Sequence, residues 1–132
     1  MKADKLGRTP LHYVAVDLPQ ERHSAEIARL IAEGCDPNQQ DKNEWTPLHF
    51  AAQEYSLEAV KALLAVGAVV DAIDSNGNTP LSNAVFNSKG EGSVILALLE
   101  AGADPDKKNH HGVSPRELAE TIDNYDNKRF FK

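Results

Sequence analysis

Thr-Pro or Ser-Pro pairs recur through the chain at Thr9, Thr46, Thr79 and Ser114, at spacings of 37, 33 and 35 residues. This period constrains the fold more than any single residue does. A unit of that length is one small supersecondary element, and it buries its apolar side only against its neighbours. Behind the pairs run LHYVAV, LHFAAQ, LSNAVF and RELAET, and the first three units end alike, in LIAEGCDPNQQ, LLAVGAVVDAI and LLEAGADPDKK. Each unit also opens with an acid or amide five residues before its Thr or Ser: Asp4, Asp41, Asp74 and Asn109.

Within one unit the local physics is direct. Thr46 suits an N-cap and Pro47 the first helical position, where a missing N–H costs nothing. SPRE in the last unit adds a capping box, with Ser114 at the cap and Glu117 three residues on. The spacing predicts a first helix to about Gln53. It predicts a second after Ser56, with Leu57, Val60, Leu63 and Leu64 on one face and Gly67 just past its end. Ser24 with Gly34 and Ser93 with Gly102 bracket the matching helices. The segment GAVVDAIDSNGNTP reads as a hairpin-like loop to the next unit. In these loops Gly7, Gly77 and Gly112 occupy one position, and Glu44 replaces them in the second unit. Either that loop turns differently, or Glu44 holds a left-handed conformation at a cost of about 1 kcal/mol.

A chain of 132 residues fits one domain, and 41% apolar residues suffice for a core. The net charge of −6 disfavours phosphate backbones, which are bound by clustered Lys and Arg, so nucleic acid is not an expected ligand. Cys35 is the only cysteine, which rules out an intrachain disulfide and suits a reducing compartment. The N-terminus has no apolar signal region, and the run from Ala59 to Ala72 is too short to span a bilayer. A cytoplasmic protein without membrane contact, monomeric when free, is expected.

The pattern resembles the ankyrin repeat, on the strength of DKLGRTPLHYVA, DKNEWTPLHFAA and DSNGNTPLSNAV paired with LIAEGCDPN, LLAVGAVVD and LLEAGADPD. The resemblance implies an all-α fold, a solenoid of stacked helix-turn-helix units joined by β-hairpin-like loops. It implies one domain over 1–132, with repeats at about 4–40, 41–73 and 74–108 and a shortened capping repeat at 109–132. Repeats 1 and 3 are longer than repeat 2, with the extra residues between the two helices, at DLPQERHS and FNSKGEG, where added loop length is cheap. Arg116 and Glu120 replace a leucine and an alanine of the other units, as suits an outer face with no neighbour. The tail IDNYDNKRFFK is expected to form the cap's second helix, with Tyr125, Phe130 and Phe131 closing it on repeat 3.

His12 and His49 recur at one repeat position, but Ser82 and Glu117 replace them elsewhere, so no metal-ligand set is completed. In ankyrin-like repeats this histidine braces loop backbone. His110 and His111 lack a third ligand, and Cys35 fills an alanine slot as packing. No nucleophile, metal or phosphate motif is present, so neither catalysis nor a cofactor is expected.

The remaining chemistry is recognition. In the family, partners dock on a concave surface of hairpin tips and first-helix residues. Aligned units put Arg8, Trp45, Asn78 and Val113 in one row, and Val16, Gln53, Phe86 and Thr121 in another. The expected partner-binding residues are Arg8, Lys42, Asn43, Trp45, Gln53, Glu54, Tyr55, Asn76, Asn78, Phe86 and Asn87. Trp45 and Phe86 are the anchors, at positions expected to be exposed. Tyr55 stands where a tight helix connection often has glycine, and it either extends the patch or packs locally. The ending SPRELAETIDNYDNKRFF is similar to small bacterial ankyrin-repeat proteins encoded beside secreted toxins, which act as immunity proteins. An acidic inhibitor suits a toxin with a basic site. A regulatory scaffold masking a basic region of a signalling or transcription factor is the alternative.

Overall fold

Each Thr-Pro or Ser-Pro pair opens a helix in the computed structural model, which describes residues 3–122 and 126–131. Seven α-helices lie in the described residues: α1 Pro10–Asp17, α2 His23–Ala32, α3 Pro47–Gln53, α4 Leu57–Ala65, α5 Pro80–Asn87, α6 Ser93–Glu100 and α7 Pro115–Thr121. The first helices stack as α1, α3, α5 and α7, and the second helices as α2, α4 and α6, giving two layers of a helical solenoid. Leu11, Leu48 and Leu81 from the Thr-Pro-Leu segments are buried between the layers with Ile27, Val60 and Ile95. Burying each such side chain is worth about 1.5–3 kcal/mol.

The capping expectations hold at Thr46, Ser56 and Ser114, whose hydroxyls accept from His49 N, Ala59 N and Glu117 N. Ser24 and Ser93 instead lie inside their helices, which begin at His23 and Ser93. The insertion in repeat 1 ends in a 3-10 turn, Gln20–Arg22, that leads directly into α2. His23 then takes the slot of Ser56. It is buried, with Nδ1 2.7 Å from Ser56 Oγ and Nε2 2.7 Å from Leu18 O, so it ties the inserted loop to the next unit.

The acid or amide opening each unit closes its loop. Asp41 Oδ1 accepts from Asn43 N and Trp45 N, Asp74 Oδ1 from Asn76 N and Asn78 N, and Asn109 Oδ1 from His111 N and Val113 N. Successive hairpin tips are then laced by one backbone bond each: Lys42 N to Leu6 O, Ser75 N to Asn43 O, and His110 N to Asn76 O. Glu44 keeps the left-handed turn at φ 63°, alongside Gly7 at 78° and Gly77 at 77°. At Gly77 a Cβ would also lie 2.9 Å from His110 N, so there glycine is needed for space as well as for its torsion.

The C-terminal tail departs from expectation. Residues 126–131 form no second α-helix; they make a 3-10 turn, Lys128–Phe130, and Tyr125 lies outside the described residues. A fully buried amide does the closing. Asn127 Nδ2 donates to Val85 O and its Oδ1 accepts from Ser88 Oγ at 2.8 Å, which holds the tail on the repeat 3 insertion. The Phe130 ring lies against Gly92, where a Cβ would come within 2.4 Å, and Phe131 is buried on the core as expected. Arg116, in the leucine slot, forms a two-point pair with Asp106 and donates to Phe131 O.

Candidate functional site

The Thr-Pro-Leu-His histidines carry out the bracing role expected of them. His49 Nδ1 is 3.1 Å from Thr46 N and 2.9 Å from Thr46 Oγ1, while Nε2 is 2.9 Å from Asn78 O in the next unit. His12 repeats the arrangement, with Nδ1 on Thr9 and Nε2 3.0 Å from Trp45 O. Because Nδ1 accepts from a backbone N–H, the proton sits on Nε2 and is donated across the repeat boundary. Burial pushes both imidazoles below the ordinary histidine value of 6.5, against the pull of the carbonyls they donate to.

These brackets position the row before each Thr. Trp45 is half-buried rather than exposed: its ring lies 4.9 Å from Phe50 and 5.7 Å from His49. Arg8, also half-buried, pairs with Asp41 at 3.1 Å and places its guanidinium 4.9 Å over Phe50. Its charge is therefore already balanced within the stack. Phe86 behaves as expected, being 71% exposed at the end of α5.

Two adjoining grooves run along this face, with Trp45 and Gln53 lining both. The groove over repeats 1 and 2 encloses about 480 Å³ and includes Arg8, Asn43, Glu54 and Asn76. The groove over repeats 2 to 4 encloses about 570 Å³ and includes Asn78, Phe86 and Asn87. Lys42 and Tyr55 line neither groove. Lys42 is at an exposed hairpin tip. Tyr55, left-handed at φ 53°, packs locally and donates its hydroxyl to Glu91 O.

The sequence rows missed a third set, the residue after each histidine position. Tyr13, Phe50, Asn83 and Leu118 all line the grooves, the first two in one and the last two in the other. A signal was available, since this position changes among the first three units while the adjacent Thr-Pro-Leu frame does not. Ser82 is also a wall residue, and it leaves Thr79 without the imidazole that Thr9 and Thr46 enjoy. Thr79 Oγ1 is buried with no hydrogen-bond partner among the described residues.

Comparison with known proteins agrees with this geometry. The family model described as ankyrin repeats (3 copies) matches residues 20–109. The chain is 38% identical over 103 residues to human SH3 and multiple ankyrin repeat domains protein 2, covering 76% of this chain and 5% of that protein. It is 35% identical over 118 residues to human ankyrin repeat domain-containing protein 63, covering 86% of this chain and 30% of that protein. The chain thus spans less than a third of either relative.

Proposed function

The chain belongs to the ankyrin-repeat family, and from that premise we propose that it binds a partner protein along its grooved concave face. Ankyrin repeats are a protein-interaction scaffold, generally non-catalytic. The observation that carries the reading is Phe86, an aromatic ring 71% exposed beside the half-buried Trp45 on one continuous grooved surface. Large rings so placed are the residues most often found as interface anchors. Around them Gln53, Asn78 and Asn87 on one side, and Asn43, Glu54 and Asn76 on the other, supply polar contacts. Arg8 contributes mainly as a support for Phe50. Lys42 and Tyr55 stay outside the contact surface in this reading.

A narrower form of the same function is neutralisation of a toxin by an immunity-type inhibitor. Its support is the likeness of the ending SPRELAETIDNYDNKRFF to such proteins, together with a net charge of −6 that would speed encounter with a basic partner. Affinity capture from the native cell with wild type, Trp45→Ala and Phe86→Ala in parallel tests the general reading. A prey held by wild type and lost from both variants is expected; a prey retained equally by both excludes the concave face. Co-expression with a toxin encoded beside the gene tests the narrower form, and growth that is not rescued overturns it.

A further inference from the structure

The two grooves differ in chemistry, and the difference specifies the occupant of one of them. The groove over repeats 1 and 2 is walled by the rings of Tyr13 and Phe50 and carries the charges of Arg8 and Glu54. In repeat 3 both rings of that pattern are missing. Ser82 stands where His12 and His49 stand, and Asn83 where Tyr13 and Phe50 stand. Two small side chains in place of two rings line the groove beside Phe86, and the buried Thr79 hydroxyl is left without a partner among the described residues. Among the described residues no carboxylate, lysine or arginine lines the space, despite the acidic composition of the chain; the groove's one imidazole is His111, at the hairpin end.

Amides take their place. Asn83 Nδ2 donates to His49 O and Asn87 Nδ2 to Asn83 O, so the side-chain oxygens of both remain as acceptors facing no donor among the described residues. The Gln53 amide, in the same groove, is likewise unengaged among the described residues. Side-chain amides offer one acceptor and two donors, the complement of a backbone with its N–H and C=O groups exposed. A helix satisfies those groups internally, whereas an extended segment presents them. A charged side chain would lose its hydration here without meeting an opposite charge.

We propose that this groove binds an extended, uncharged peptide segment of a partner protein, one aromatic side chain of which enters the space left by Ser82 and Asn83. The inference rests on the concave-face reading above and adds the chemistry of the bound segment. It also removes the basic site as the feature recognised in this groove, leaving the net charge to act on encounter rate alone.

The test uses the full chain and a displayed library of random linear peptides as the probe. The enriched sequences are expected to share an uncharged stretch with one aromatic residue. Affinity of a winning peptide is then measured on wild type, Phe86→Ala and the double variant Ser82→His with Asn83→Phe. That double variant copies the residues of repeat 2 and should melt no lower than wild type. A loss of at least about tenfold is expected for both variants, with less than about threefold change between roughly 0.05 and 0.5 M salt. If the double variant fails to fold, Ser82→His alone provides the filled groove. A charged consensus, strong salt dependence, unaltered affinity in the filled groove, or no enrichment each overturns the inference. A cellular partner lost with Trp45→Ala but indifferent to the filled groove leaves the concave-face reading standing and refutes this one.

Discussion

Replacing His49 by serine copies into repeat 2 the residue that repeat 3 already carries, and the structure gives the cost. The imidazole accepts from the buried Thr46 N at 3.1 Å, partners Thr46 Oγ1 at 2.9 Å and reaches Asn78 O at 2.9 Å. Leaving a buried N–H unpaired costs about 1–3 kcal/mol, and losing the bond to Asn78 O about 1 more. Asn78 O keeps its bond from Asp74 N, which limits the damage at that end. The vacated ring adds a further cavity cost of about 1 kcal/mol. The expected loss for His49→Ser is therefore about 3–5 kcal/mol, measured by urea unfolding at pH 7 and followed by both fluorescence and circular dichroism.

The same imidazole sets a pH signature. Both His12 and His49 are held neutral in the folded chain, below the 6.5 of an exposed histidine. Their folded values are depressed, so the unfolded chain binds more protons as the pH falls below 6.5. Stability is complete above that point and is lost progressively beneath it, down to the folded values. Each ring contributes a slope of up to about 1.4 kcal/mol per pH unit. As the pH falls below 6.5, His49→Ser should lose stability with a shallower slope than wild type, because one of the two depressed imidazoles is gone. A wild-type stability flat across that window, or a slope unchanged in the variant, would refute the bracket as described.

Three further outcomes are expected. Glu44→Gly relieves a left-handed φ of 63° at an exposed position; after the added entropy of the unfolded chain, the gain is about 0.5 kcal/mol, read as a melting rise of a degree or two. Gly92→Ala drives a methyl into the Phe130 ring, so the tail should detach, with loss of hydrogen-exchange protection at 127–131 and a destabilisation of about 1–3 kcal/mol. Phe86→Ala, at 71% exposure, should change stability by less than about 0.5 kcal/mol; a larger loss would show the ring to be part of the scaffold rather than the docking surface.

Much of the fold was legible because its determinants are local and repeated. Thr-Pro at a helix start, Gly67 past a helix end and the leucines of Thr-Pro-Leu each act within their own unit. The bracing histidines were legible through their recurrence, although the identity of the carbonyl each one reaches is a matter of stacking. What escaped was set by packing that the repeat spacing does not display. Trp45 occupies a variable row, but His49 and Phe50 of the helix that follows it, α3, lie close enough to half-bury it. Asn127 is fully buried because the tail crosses repeat 3, and no periodicity in residues 109–131 encodes that path. Asn83 reads as an ordinary polar helix residue until its neighbours show that it replaces a ring. Tyr55 reached across to Glu91 O, a bond made possible only by the inserted loop of repeat 3.

The absent imidazole of repeat 3 also bears on how the stack comes apart. A solenoid has only nearest-neighbour couplings, and it opens first where a coupling is weakest. The joints between repeats 1 and 2 and between repeats 2 and 3 each carry a hairpin backbone bond and an imidazole latch among their contacts. The joint between repeats 3 and 4 keeps its backbone bond, a bond between the Asn109 and Asn78 side chains, and the buried Asn127 contacts to Ser88 and Val85, but it has no imidazole latch among the described residues. Amide exchange in α7 should therefore outpace that in α3, which carries an imidazole latch of its own. The groove beside Phe86 lies over the same seam, so a segment bound there would act as a splint across the joint that lacks an imidazole.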